Sequence, residues 1–378
     1  MSLVAFRFPV DRLAGRRYPE APHPFRNEFQ RDRDRIVHAR AFRRLEDKTQ
    51  VFGEGVSDHF RNRLTHTIEV SQIARTAASA LGLDEDFTEA LALAHDIGHP
   101  PFAHAGEEAL NAAMSRFGDC FDHNLHALRI VEYFESRYAR FPGLNLTFEV
   151  REGMVKHSRD FEPGERPGFD EYLPGLKPPL EAQLIDLADE IAYNSADLDD
   201  GYSAGLFDLE QIATSVPGYG LLLHDARTRF PHVEEGILFQ ETLRKLIDLL
   251  ASGLIDGTRQ AVLASGCKDV GDVRRCDRRL AEFMPEPAAV NRHLKDFLLR
   301  RVYSIEPLQV ERRRASEAIW KLFDHYMESP HRLPNTHRER TAGLPLHRVV
   351  CDYVAGMTDG FFRRTLAREL PPDNLDSI

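Results

Sequence analysis

The sequence predicts an all-α protein, and three observations carry that reading. Apolar residues recur at helical spacing through most of the 378 residues. Strict alternation of apolar and polar residues, the mark of a half-buried strand, is rare. Glycine and proline fall mostly between the periodic stretches, where they end helices rather than interrupt them.

The elements follow in order. A helix over 62–81 places His66, Val70, Ile73 and Ala77 on one face, so His66 points inward. A second begins at Asp84, a good N-cap followed by acidic Glu85 and Asp86. It runs through Phe87, Leu91 and Ala94 and stops where Gly98 and Pro100 break it, which leaves His95 and Asp96 at its C-terminal end. A third starts near Gly106 and Glu107 and carries Leu110, Met114 and Phe117, and a fourth carries Leu125, Leu128, Val131 and Phe134. The proline-rich stretch 158–179 reads as an irregular loop before a long helix over 180–199. Later helices are expected over 235–252 and 311–326, with a final one over 346–368. The expected organisation is a core over 1–216 with an Arg-rich start. A helical region over 217–378 completes the active site and the oligomer contacts, and the two form one continuous globular unit.

Composition narrows the function. No run approaches the roughly 18 apolar residues of a spanning helix, and the N-terminus lacks the order of a secretory signal, so a cytoplasmic, membrane-free location is expected. Cys120, Cys267, Cys276 and Cys351 form no CxxC pair, which argues against a zinc ribbon or disulfide scaffold and predicts reduced thiols. Net charge is −11, yet residues 1–63 hold 14 Lys and Arg against 9 Asp and Glu. Only seven of the 49 basic residues are Lys; the rest are Arg, whose planar fork suits phosphate or carboxylate. Net charge decides nothing about nucleic acid.

The chemistry concentrates in a few positions. His66, the adjacent His95 and Asp96, and Asp189 supply two imidazoles and two carboxylates, a set suited to a divalent ion such as Mn, Fe, Co, Ni or Mg. Singly, an inward histidine is more often a satisfied core residue. The run HDIGHPPFAHAGE at 95–107, however, crowds three His, one Asp and one Glu at a helix end, which a packed core rarely tolerates. The bland alternative has His99 and His104 capping the broken helix and Glu107 favouring the N-terminus of the next. Asp189, Tyr193 and Asp197 fall at i, i+4 and i+8, along one stripe. A solvated acidic face is the alternative there, given Asp186, Glu190, Asp199 and Asp200, but Ala182, Ile185, Ala192 and Ala196 favour burial.

These residues resemble a family. His66, then His95 with Asp96, then Asp189 matches the H…HD…D signature of HD-domain phosphohydrolases. Longer blocks look like the dGTPase-like dNTP triphosphohydrolases: EFQRDRDRI at 28–36, AFRRL at 41–45, KTQVF at 48–52, RLTH at 63–66, the 95–107 run, ADEIAY at 188–193 and DYVAGMTD at 352–359. The resemblance implies an HD-domain helical bundle with additional C-terminal helices. It implies hydrolysis of a dNTP, dGTP or several, to deoxynucleoside and inorganic triphosphate, with attack at the α-phosphorus. His66, His95, Asp96 and Asp189 would hold the metal, and His104 with Glu107 would form the catalytic pair, His104 acting as general acid or general base. Arg63, Lys156 and Tyr193 resemble positions near the phosphates, Gln50 and Asp197 positions that read the sugar 3′-hydroxyl, and Asn124 a position near the catalytic pair.

Family members are commonly homo-oligomeric and some are activated by dNTPs. Arg31, Arg33, Arg35, Arg43 and Arg44 therefore read as subunit contacts or a dNTP effector site, or else as pairing with Asp32 and Asp34. The sequence departs from the commonest pattern in carrying Ala103 before His104, where Gly is more usual, and FDHNLH at 121–126. Rival readings are an HD-domain nucleotidase or phosphodiesterase, and a catalytically idle protein that senses nucleotides or binds single-stranded nucleic acid. A purely structural metal site is disfavoured because structural zinc usually recruits cysteines.

Overall fold

The computed structural model describes residues 2–49 and 61–371. Among these, every regular element is helical, and extended pairing is confined to isolated bridges such as Arg16 with Thr147. The all-α expectation holds, and no helix among the described residues is long and apolar enough to cross a membrane. Gln50 lies outside the described residues.

Contacts divide the chain into two interleaved compact units. The first comprises Met1–Arg33, His66–Leu93 and Thr147–Ile305; the second comprises Asp34–Thr65, Ala94–Leu146 and Glu306–Ile378. Each unit is therefore assembled from segments distant in sequence, and the point 216/217 falls inside the last segment of the first.

In the first unit the long helices Leu180–Ser203, Glu235–Ser265 and Pro285–Leu298 pack together and bury Leu184, Ile191, Leu246, Leu250, Leu254 and Leu294. Glu235–Ser265 runs well past the expected end at 252, stopping at Gly266, whose φ of 75° suits a residue without Cβ. Asp84 caps the helix Glu85–Ala94 as expected, its Oδ1 accepting from Phe87 N at 2.9 Å. Behind it the fully buried Glu181 accepts from the backbone amides of Phe8 at 2.8 Å and Asp84 at 3.2 Å. Burial pushes this carboxyl up to about 7. Part of the basic start of the chain is engaged by nearby carboxylates. Arg31 pairs with Glu28 at 2.8 Å and Arg33 with Glu89 at 3.2 Å, while the buried Asp32 is taken by Arg16 and by the amide and hydroxyl of Thr147.

In the second unit, helix Ala103–Ser115 packs on Glu306–Glu328 and Leu346–Ala355 around Leu110, Met114, Ile319, Leu322, Phe323, Val350 and Val354. Three boundaries differ from expectation. The third helix starts at Ala103 rather than near Gly106, because Asp359 Oδ1 accepts from Phe102 N at 3.1 Å and fixes the turn before it. The fourth ends as a helix at Arg129 and continues as a wider π turn over Ile130–Phe134. The expected single helix over 346–368 is two, Leu346–Ala355 and Asp359–Glu369, since the Thr358 side chain caps the second. That break turns Asp359 inward, where Oδ2 also accepts from Thr49 N at 3.0 Å.

Glu181→Gln retains an acceptor but cannot ionise. A folded pKa above the ordinary 4.5 means stability is fully present below about 4.5 and lost as pH rises through about 7. Urea melts from about pH 4 to 8 should show the native chain losing ground to the variant across that window, and parallel curves would refute the reading. Glu181→Ala, which leaves two buried amides without an acceptor, should cost on the order of 2–4 kcal/mol.

Candidate active site

The polar cluster of the second unit grows from the turn His95–Asp96–Ile97–Gly98. Gly98 lets that turn meet helix His123–Arg129: a Cβ there would sit 2.0 Å from the His123 carbonyl and 2.5 Å from Ala127 N. No side chain fits that approach. The Asp96 carboxylate, 5% exposed, meets Arg63 Nη1 at 2.7 Å, His99 Nε2 at 3.0 Å and His95 Nε2 at 3.5 Å. Burial works to raise its pKa, but Arg63, His95 and His99 outweigh burial and hold it well below the carboxylate range. His99 is held well below the usual imidazole range by burial first, then by Arg63 and His123, so its ring is neutral at physiological pH. With Nε2–H directed at Asp96, Nδ1 is left as a buried acceptor with no hydrogen-bond partner among the described residues.

The chain of contacts continues outward. His99 stacks on His123 with ring centroids 4.0 Å apart and an interplanar angle of 16°. Glu107 Oε1 faces His123 Nδ1 at 2.8 Å and accepts from the His123 amide at 3.0 Å, and Glu107 Oε2 lies 3.9 Å from His104 Nδ1. Burial opposes ionisation of Glu107, but His104 and His123 overcome it and keep the carboxylate far below its ordinary range. His104 is the open end, its side chain 59% exposed. His99, Glu107 and His123 present ligand atoms within 4.8 Å of one another. Their mutual hydrogen bonding and stacking make them a relay that orients His104. Beneath it, Lys48 Nζ donates to the His99 carbonyl, and burial draws this ammonium down to about 7.

In the first unit, helix Arg63–Leu81 presents His66, 1% exposed, and helix Leu180–Ser203 presents Asp189, Tyr193 and Asp197. His66 Nε2 and Asp189 Oδ1 are 2.8 Å apart, and the Tyr193 ring stands edge-on to His66 at 6.4 Å. Asp189 Oδ2 lies 3.8 Å from Nε2 of His157, whose Nδ1 is 2.7 Å from Asp186, itself held by Arg279. Asp186 and Asp189 thus belong to an ordered network rather than to the solvated acidic face that was the alternative reading of this stripe. Asp197, 1% exposed, accepts from the Tyr303 hydroxyl; burial pushes its carboxyl up to about 7, against the hydrogen bond from Tyr303.

The donor set His66, His95, Asp96 and Asp189, two imidazoles and two carboxylates, has the chemistry of a divalent-ion site. Asp189 gathers imidazoles on both its oxygens, and the acidic Asp96 gathers His95, His99 and Arg63. Imidazole and carboxylate together match first-row divalent metals or Mg.

Lys156 is a correction. Its ammonium, 1% exposed, is consumed by Glu152 Oε1 at 2.8 Å and by the carbonyls of Leu173 at 2.9 Å and Leu176 at 2.8 Å, with Arg274 on the far side of Glu152. A buried Lys with three satisfied donors holds the 158–179 loop instead of meeting phosphate. Asn124 sits in the first turn of its helix, 2% exposed, beside His123. Residues not singled out from sequence are His123, His157, Asp186 and Tyr303. For His123 a signal was visible, since FDHNLH placed an extra imidazole beside Asn124; for the others only proximity in space reveals them.

Comparison with known proteins agrees with this chemistry. The HD domain family model matches residues 63–194 and the phosphohydrolase-associated domain model residues 281–368. The chain is 44% identical over 352 residues to a deoxyguanosinetriphosphate triphosphohydrolase-like protein of Geobacter sulfurreducens, covering 93% of this chain and 90% of that protein. A protein of the same name from Thiobacillus denitrificans is 46% identical, covering 93% and 92%, and one from Ruegeria 42%, covering 93% and 94%.

Phe102 and Ala103 carry φ of 62° and 53°, the left-handed region that glycine tolerates best. A side chain there costs about 1–2 kcal/mol, which is the physical reason for the usual Gly at the position where this chain carries Ala103. Ala103→Gly should raise unfolding free energy by about 1 kcal/mol in denaturant melts; an unchanged or lowered midpoint would show the turn to be unstrained.

Proposed function

Because this chain belongs to the deoxyguanosinetriphosphate triphosphohydrolase-like family of HD-domain phosphohydrolases, we propose that it hydrolyses deoxynucleoside triphosphates to deoxynucleoside and inorganic triphosphate. The observation that carries the reading is the buried relay ending at an exposed imidazole: Asp96, His99, His123, Glu107, then His104. Such a string of ionisable groups is costly to bury unless it serves a reaction.

His66, His95, Asp96 and Asp189 would hold a divalent ion, Mn, Mg, Fe, Co or Ni. When bound, it would polarise the α-phosphate and lower the pKa of an attached water. Arg63, held against Asp96 at 2.7 Å, is fixed in orientation for an anionic oxygen. His104 moves the proton, either from the attacking water or to the leaving 5′-oxygen. Glu107 stays ionised and so stabilises the imidazolium in both directions. Asp197, braced by Tyr303 and Tyr193, reads the sugar 3′-hydroxyl. With its carboxyl near pH 7 it can donate as well as accept. Gln50 joins it by resemblance, and Asn124 supports the catalytic pair. Homo-oligomeric assembly and a cytoplasmic location belong to the same proposal.

Product analysis tests it. Purified protein with Mn or Mg and each dNTP, singly and mixed, should release deoxynucleoside and triphosphate. His104→Ala should lower turnover by about 10²–10⁴-fold, and Asp96→Ala should abolish it. Orthophosphate or a linear monophosphate as product would move the assignment to an HD-domain nucleotidase or phosphodiesterase. No turnover under any combination would favour a nucleotide sensor or single-stranded nucleic-acid binder.

A further inference from the structure

The second unit contains a cavity of about 580 Å³, the size of a small-molecule site, built from residues outside the relay and the metal ligands. Arg40, Arg44, Arg364, Arg340 and His337 line it together with His126. The first three arginines are exposed, and Arg340 and His337 are half-buried. The cations are not neutralised in place. Among the described residues Arg40, Arg340 and Arg364 make no ion pair; Arg44 spends one donor on the Gly356 carbonyl at 2.9 Å. Two carboxylates also face the cavity, and both are engaged. Asp352 is bound by Arg129, and Glu135 Oε1 accepts from Ala41 N at 2.8 Å. The arginines weigh on their neighbours: burial and then Arg340 and Arg44 hold His337 down to about 4, which leaves its ring neutral, and burial followed by Arg40's repulsion weighs on Arg44 despite Glu135. Four guanidinium groups against two carboxylates leave an excess of positive charge in a concave surface, which suits an anion.

A second, independent feature defines what the anion carries. His126, 2% exposed, directs Nδ1–H to the Gly98 carbonyl at 3.0 Å. Its Nε2 is therefore a lone-pair acceptor, and it has no hydrogen-bond partner among the described residues. Burial keeps this ring neutral, its pKa held near 3, so the acceptor persists at any physiological pH. A buried acceptor without a donor is costly, and a ligand hydroxyl or amine would recover that cost. Apolar surface from Phe134 and Tyr353 completes the wall, Arg340 lying 4.5 Å over the Phe134 ring. We propose that this cavity binds a small phosphate monoester bearing a hydroxyl or amine, its phosphate on Arg40, Arg44, Arg340 and Arg364 and its donor on His126 Nε2.

Titration calorimetry on the full chain tests this with three probes: inorganic phosphate, glycerol 3-phosphate and 2′-deoxyadenosine 5′-monophosphate. The last two separate a sugar-type from a nucleotide-type source. The expected result is monoester binding weakened at least about tenfold in Arg40→Ala/Arg364→Ala, a pair on the exposed rim, and again in Arg340→Ala, but retained in His104→Ala. The His126 ring nitrogens should shift in nuclear magnetic resonance spectra on adding a monoester and not on adding inorganic phosphate. Binding that survives the arginine changes and disappears in His104→Ala would place the phosphate at the hydrolytic centre alone and overturn the proposal. No binding of any probe into the millimolar range would overturn it as well, and so would a single-stranded oligonucleotide outcompeting every monoester.

Discussion

The buried carboxylate of Asp96 is the constraint on which the second unit's chemistry depends. Removing a charge from water costs several kcal/mol, and the cost is offset only when partners surround it. Arg63, His95 and His99 do so, and their presence keeps Asp96 ionised despite its burial. That arrangement dictates its neighbours. Gly98 must lack a side chain so the turn can press on helix His123–Arg129, and Lys48 must cap the His99 carbonyl from beneath. The backbone around the carboxylate is as specified as the side chains.

From Asp96 outward, carboxylates and imidazoles hold one another in place. Asp96 is anionic, His99 neutral, Glu107 anionic, and each sets the tautomer or orientation of the next. The first unit uses the same device. Asp189 meets His66 and His157, and His157 is fixed from behind by Asp186, which Arg279 anchors. Partners of this kind orient the groups that meet a metal and tune their basicity.

Arginine usage separates structure from recognition. Arg16, Arg31 and Arg33 are spent on carboxylates, and Arg35 donates to the Leu144 carbonyl at 2.8 Å. Against that background the unpaired guanidinium groups around His126 are informative. Among the described residues, the four arginines of this cavity face two carboxylates that already have other partners.

The sequence by itself determined the all-α class, the inward His66, the crowding at 95–107 and the stripe of Asp189, Tyr193 and Asp197. Helical periodicity and cap residues act within a few positions, so one dimension suffices to read them. It also carried family membership, because ordered motif blocks survive as local strings. What only the tertiary structure decided was which groups pair. Lys156 was expected at phosphate and instead closes a loop through Glu152. Cys267 and Cys276, scattered in sequence, have Sγ atoms 3.3 Å apart. The break at Gly356–Thr358 that aims Asp359 at Phe102 is invisible to a periodicity that continues through it. Partner choice depends on burial and on contacts between segments tens to hundreds of residues apart, and free energy of that kind is not written in local spacing.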